Sequence, residues 1–75
     1  AQREARKRAR RLAQVEDDIA SLEEVIASYE GRFAAVDPSD YEALQALTDE
    51  YEGLKQDLAE LYGEWEELAE EAHKE

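Results

Sequence analysis

A cluster of basic side chains at the start of the chain is the feature best suited to chemistry with a partner. Residues 1–11 hold six basic residues against one acid, a net charge of +5, whereas the remainder holds three basic residues against twenty acids, a net charge of −17. Four of the six recur at helical spacing, and on a helix they form an outward stripe: Arg3, Arg6, Lys7 and Arg10. Such a stripe suits contact with phosphates, a sequence-independent attraction that weakens with salt. A solvated helix end leading into a linker is the alternative.

The other reactive residue types do not form a site. The chain has no cysteine, which excludes disulfides and zinc–thiolate sites. His73 has no second histidine or cysteine at ligand spacing, so no metal site is expected. The many carboxylates would lie on a convex solvated surface, whereas general acid–base catalysis needs a pocket that shifts a pKa. The sequence therefore predicts no catalytic residue and no cofactor, and this chain is interpreted as not an enzyme.

Two heptad repeats predict the elements that position the stripe. From residue 12 onward, apolar residues alternate at spacings of 3 and 4, the pattern of coiled-coil a and d positions. In antiparallel order every a position faces a d position, and each facing pair of residue numbers adds up to 80. The prediction is an all-α fold, one two-helix antiparallel coiled-coil hairpin over residues 1–75, with helices at about 2–36 and 40–73 and a turn at 37–40. The seam residues are Leu12, Val15, Ile19, Leu22, Ile26, Tyr29, Phe33 and Val36, and Leu44, Leu47, Tyr51, Leu54, Leu58, Leu61, Trp65 and Leu68.

The turn has two rival descriptions. Pro38 cannot continue a helix, and it restricts the residue before it. Ser39 and Glu42 match a capping box at the start of the second helix. Asp37 as the cap, with Pro38 as the first helical residue, is the other possible start.

Charges on the flanks of the seam support the antiparallel register. Arg8 and Arg11 take seam and flank positions, so both are expected to face the second helix. Asp18 opposite Glu64 is the one repulsive match. The attractive matches are Arg32 with Glu50, Glu23 with Lys55, and Arg11 with Glu71.

The aromatic residues divide between seam and surface. Trp65 is interpreted as a large core side chain packed over Val15, with base stacking as the alternative. Tyr29 and Tyr51 are expected to face each other in the seam. The two remaining tyrosines, Tyr41 and Tyr62, occupy partly exposed flank positions.

The hydropathy of the sequence and its first residues indicate what kind of protein it comes from. No apolar stretch approaches the ~20 residues of a membrane span, and no signal peptide is visible. The chain begins within a helical pattern and without Met, so it is expected to be a fragment of a larger protein.

The hairpin with its Asp-Pro turn resembles the C-terminal coiled-coil domain of ABC-F ATPases, with the Uup-type proteins as the nearest group. The resemblance covers roughly residues 6–70, and its most specific part is a Leu-Tyr-x-x-Trp-Glu-x-Leu ending at Leu61, Tyr62, Trp65, Glu66 and Leu68. It implies a cytoplasmic parent ATPase without membrane spans, whose cassettes bind ATP and Mg²⁺. No Walker or signature motif lies in this sequence.

The resemblance also implies partners. In that family the domain follows two ATP-binding cassettes and is associated with DNA in the Uup group and with ribosomal RNA in relatives that act in translation. The expected partners are thus DNA or ribosomal RNA through the basic end, and the protein's own ATPase domains. A structural or protein-interaction hairpin without nucleic-acid binding is the alternative function. A dimer pairing the same heptads between chains is less favourable than a monomeric hairpin, because the short turn closes the hairpin locally.

Overall fold

The structure, a computed structural model, describes residues 2–74, with side chains described through residue 73, as two helices of 34 residues each. Helix α1 is Gln2–Ala35 and helix α2 is Tyr41–Lys74. They pack against each other in antiparallel order as a rod of 59 × 15 × 14 Å. The predicted all-α helical hairpin is confirmed. No described helix is long and apolar enough to cross a membrane.

The exposure of the side chains follows the heptad assignment. Every predicted a and d residue from 12 to 68 is buried or half-buried. Only Val15, Ile19 and Tyr29 are classed as buried among the described residues, at 0%, 7% and 6% exposure. The core is thin because each helix is covered from one side only, and a small rod buries little of its surface. The basic end of α1 is therefore held against α2 by a seam that buries few side chains completely.

The aromatic side chains of the seam cluster in the half nearer the turn. Tyr29 and Tyr51 have ring centroids 6.1 Å apart, which confirms that they face each other. Phe33 meets Tyr51 edge-on at 5.8 Å, a favoured aromatic geometry. Trp65, near the open end, is half-buried rather than enclosed, although the register places it opposite the fully buried Val15.

The cap of α2 is Asp40, which corrects both predicted starts. Asp40 Oδ1 accepts a hydrogen bond from the Ala43 backbone N–H at 3.1 Å, the bond that a capping side chain makes to the third helical residue. Ser39 instead donates twice to Asp37 Oδ1, through its N–H at 2.9 Å and its hydroxyl at 2.7 Å. These bonds, together with Asp40 N–H to the Asp37 carbonyl at 2.9 Å, close the turn. Pro38 therefore precedes α2 rather than opening it.

Three glycines lie within the helices, and we predict that each weakens the hairpin. A Cβ added at Gly31, Gly53 or Gly63 would meet nothing within 4 Å, and none has a positive φ. Each glycine-to-alanine change should therefore raise the free energy of unfolding by about 0.5–1 kcal/mol, because it removes backbone freedom from the unfolded chain. Urea titrations of the single and triple variants measure this gain. A loss of stability at any one position would reveal a close neighbour there and contradict the open surface described.

Candidate nucleic-acid interface

The four predicted binding residues lie on the exposed face of the first turns of α1. Arg3, Arg6, Lys7 and Arg10 are all exposed and, with Gln2, line a shallow hollow on the surface of that helix. On the same turns Ala5 and Arg8 are half-buried toward the seam. The structure thus brings the four residues together and aims them away from α2. Their role as binding residues stays a prediction.

The electrostatics of this helix end favour an anion. The stripe places four positive side chains on one exposed face of α1, within a segment of net charge +5. The stripe from Arg3 to Arg10 is about 10 Å long at 1.5 Å per residue. A duplex of that length carries about six phosphate charges. The face can therefore contact several phosphates at once without reading bases.

Arg11 takes part in holding the helices together. Its Nε donates to Glu64 Oε1 at 2.7 Å, and the guanidinium forms an ion pair with the same carboxylate. The prediction that Arg11 would pair with Glu71 is wrong, because its partner is Glu64, one heptad earlier in α2. Glu64 is half-buried and, by the register, opposes Asp18, so an arginine reaching diagonally across the seam offsets a repulsion there. Arg11 is therefore not part of the outward stripe.

The second predicted flank pair, Arg32 with Glu50, is mediated by a tyrosine. The Arg32 guanidinium lies over the ring of Tyr29, 4.7 Å from its centroid. The Tyr29 hydroxyl in turn donates to Glu50 at 3.2 Å. The base and the acid are thus on the same edge of the seam, as the register requires, but each contacts the aromatic side chain between them.

The third predicted pair, Glu23 with Lys55, is replaced by two tyrosine contacts. Lys55 Nζ lies 5.3 Å from the centroid of the Tyr51 ring. Glu23 accepts a hydrogen bond from the Tyr62 hydroxyl at 2.8 Å. An ammonium group is attracted to the face of an aromatic ring, and a phenol hydroxyl gives a carboxylate a hydrogen-bond donor.

The Tyr62–Glu23 bond gives a titration that can be predicted. The hydrogen bond to the Glu23 carboxylate raises the pKa of Tyr62 above its ordinary value, because ionisation would place two anions together. A folded-state pKa above the unfolded value contributes stability that is present below the unfolded pKa and is lost as the pH rises through the folded one. The Tyr62 contribution should therefore disappear in alkaline solution.

The measurement is the tyrosinate absorbance of the chain against pH. Subtracting the titration of Tyr62→Phe isolates this residue from the three other tyrosines. We expect Glu23→Gln to move the Tyr62 titration to lower pH, because the anionic acceptor is lost. An unchanged Tyr62 titration in Glu23→Gln would show that the bond does not form in solution.

The described residues offer no other centre of chemistry. Among residues 2–73, histidine and carboxylate side chains nowhere form a group of three or more that could hold a metal ion. His73 is exposed on the last turns of α2. The basic stripe is therefore the strongest candidate for a functional site.

Comparison with known proteins identifies a family. The family model described as ABC transporter C-terminal domain matches residues 3–70. No curated protein and no solved structure matches the chain. The match spans both helices and the turn, and it confirms the family resemblance inferred from the sequence.

Proposed function

The chain belongs to the ABC transporter C-terminal domain family, and from that premise we propose that it is a nucleic-acid-binding accessory domain of an ABC-F type ATP-binding protein. Its target would be DNA or ribosomal RNA, contacted through the phosphates. The parent's cassettes would bind ATP and Mg²⁺ and hydrolyse the nucleotide, while this hairpin would contribute binding without catalysis, in a cytoplasmic protein.

The observation that supports the proposal is that the basic stripe lies on the exposed face of α1, away from α2. The four exposed basic residues share one face of α1, while the basic residue Arg11 is held in an ion pair across the seam. A charge cluster that served only to fix the hairpin would face the acidic helix α2. The exposed face is instead free of the seam and can meet phosphates.

A second candidate function is a purely structural or protein-interaction hairpin. The observation that favours it is the net charge of −17 outside residues 1–11, which repels a polyanion from most of the rod. The two candidates differ in one measurable property, since only the first requires salt-sensitive binding to nucleic acid.

Titration of a labelled duplex with the chain tests the proposal. We expect weak binding that is the same for two duplexes of unrelated sequence. Three or four neutralised phosphates should make log K fall with log salt at a slope of about −3 between roughly 50 and 200 mM salt. No detectable binding to duplex DNA or to structured RNA at the lowest salt would favour the structural candidate.

A further inference from the structure

A groove between the helices, remote from the basic stripe, combines an apolar floor with an acidic rim. It is called the acidic groove below. Val25, on the floor, is 46% exposed although it is a large apolar side chain beside the seam. The floor residues are Leu22, Val25 and Leu61, and the rim residues are Asp18, Asp57, Glu60 and Glu64.

The rim leaves negative charge available to a partner. Arg11 neutralises Glu64 at one end of the groove, and Gln14 donates to Asp18 at 3.0 Å. Within residues 2–73, no side chain donates a hydrogen bond or forms an ion pair with Asp57 or Glu60. No basic side chain lines the groove among the described residues. The free part of the rim therefore lies on α2, next to the exposed Val25.

The length of this surface fits a helix. A second hollow, lined by Asp49, Glu50 and Gly53, adjoins the acidic groove at the shared residue Asp57. The joined surface follows α2 from residue 49 to 64, about 22 Å at 1.5 Å per residue. A partner helix of about four turns would cover it.

The charge of the acidic groove limits which helix could occupy it. Two copies of the chain meeting groove to groove would bring two acidic rims together, so a symmetric dimer through this face is disfavoured. The basic stripe of a second copy has matching charge, but its apolar neighbours are alanines such as Ala5 and Ala9, which cannot cover Val25. The occupant must carry both positive charge and a large apolar side chain.

We infer that the acidic groove docks a basic amphipathic helix of a partner protein. Leucine-like side chains of that helix lie on Val25, Leu22 and Leu61, and lysines or arginines on its flanks meet Asp57 and Glu60. The result is a three-helix arrangement over the middle of the rod, in which Val25 is covered. This protein-binding surface is separate from the basic stripe and has the opposite charge.

A labelled synthetic peptide of about 15 residues tests the inference. It carries leucines on one helical face, lysines on both flanks and alanine elsewhere, and a second peptide of identical composition distributes the leucines around the helix. We expect only the first to bind. Val25→Gln should weaken its binding about fivefold by removing apolar contact, with the helical signal of the chain unchanged because Val25 lies outside the seam.

Paired charge variants separate the groove from general attraction to an acidic chain. Asp57→Asn with Glu60→Gln should weaken peptide binding about fivefold. Asp17→Asn with Glu24→Gln makes the same charge change on the exposed far face of α1 and should leave binding unaltered. Equal losses from both pairs, or equal binding of the two peptides, would overturn the inference. Self-association of the chain that Val25→Gln prevents would also overturn it, because a second copy would then occupy the groove.

Discussion

Trp65→Ala should lower the free energy of unfolding by about 3 kcal/mol. Trp65 is the largest side chain of the seam and, by the register, covers Val15, the one described side chain that is completely buried. Deleting large core side chains costs about 3–5 kcal/mol, and partial exposure of Trp65 places it at the lower end. A chain of this size has a total stability of roughly 4–11 kcal/mol. Much of the helical signal should therefore be lost under mild denaturing conditions.

The measurement is a urea titration followed by circular dichroism, because the variant removes the only tryptophan. Tyr41→Ala is the matched control, since Tyr41 is also aromatic and is 78% exposed. It should change stability by less than about 0.5 kcal/mol. If Trp65→Ala were as stable as Tyr41→Ala but bound nucleic acid less well, Trp65 would be a surface contact, as in base stacking.

Reversing the stripe by Arg3→Glu, Lys7→Glu and Arg10→Glu should abolish binding to nucleic acid. The three changes replace attraction by repulsion on the face that meets the phosphates, with a loss of at least about a hundredfold at low salt. Folding should be retained, because none of the three side chains enters the seam. Duplex-binding titrations and circular dichroism on the same samples measure both effects.

Two control variants separate the effect of charge on binding from effects on folding. The variant with Arg3→Lys and Arg10→Lys should bind nearly as tightly as the unsubstituted chain, because phosphate attraction depends on charge rather than on side-chain identity. Arg11→Glu should reduce stability more than binding, because it breaks the ion pair with Glu64. If the triple variant bound nucleic acid as tightly as the unsubstituted chain, the stripe would be only a solvated helix end without a binding role.

The sequence sufficed for the seam because its periodicity is redundant. Sixteen positions alternate without a slip, and each is buried or half-buried in the structure. The pattern sets which face of each helix enters the seam, and the short turn between Ala35 and Tyr41 excludes a slide of one helix by a whole heptad. The same assignment placed Arg3, Arg6, Lys7 and Arg10 outward, where the structure has them.

The details that the sequence did not determine involve small energy differences. Asp37, Ser39 and Asp40 all offer oxygens that cap helices, and the backbone of the turn selects Asp40 for α2 and turns Asp37 toward Ser39. Arg11 can reach more than one carboxylate across the seam, and exposed pairs differ by less than about 1 kcal/mol. The acidic groove was not predicted, although the sequence held a sign of it: Val25 is a large apolar residue at a flank position, outside the seam.

The central claim, that the basic stripe is the nucleic-acid contact of this domain, is tested most directly by mapping backbone amide chemical shifts as a short DNA duplex is added at low salt. The account predicts that the shifts concentrate at residues 3–10 of α1 and diminish together as salt is raised, while the turn at 36–40 and the acidic groove stay unchanged. Shifts centred on the turn or spread along α2, with residues 3–10 unaffected, would contradict it.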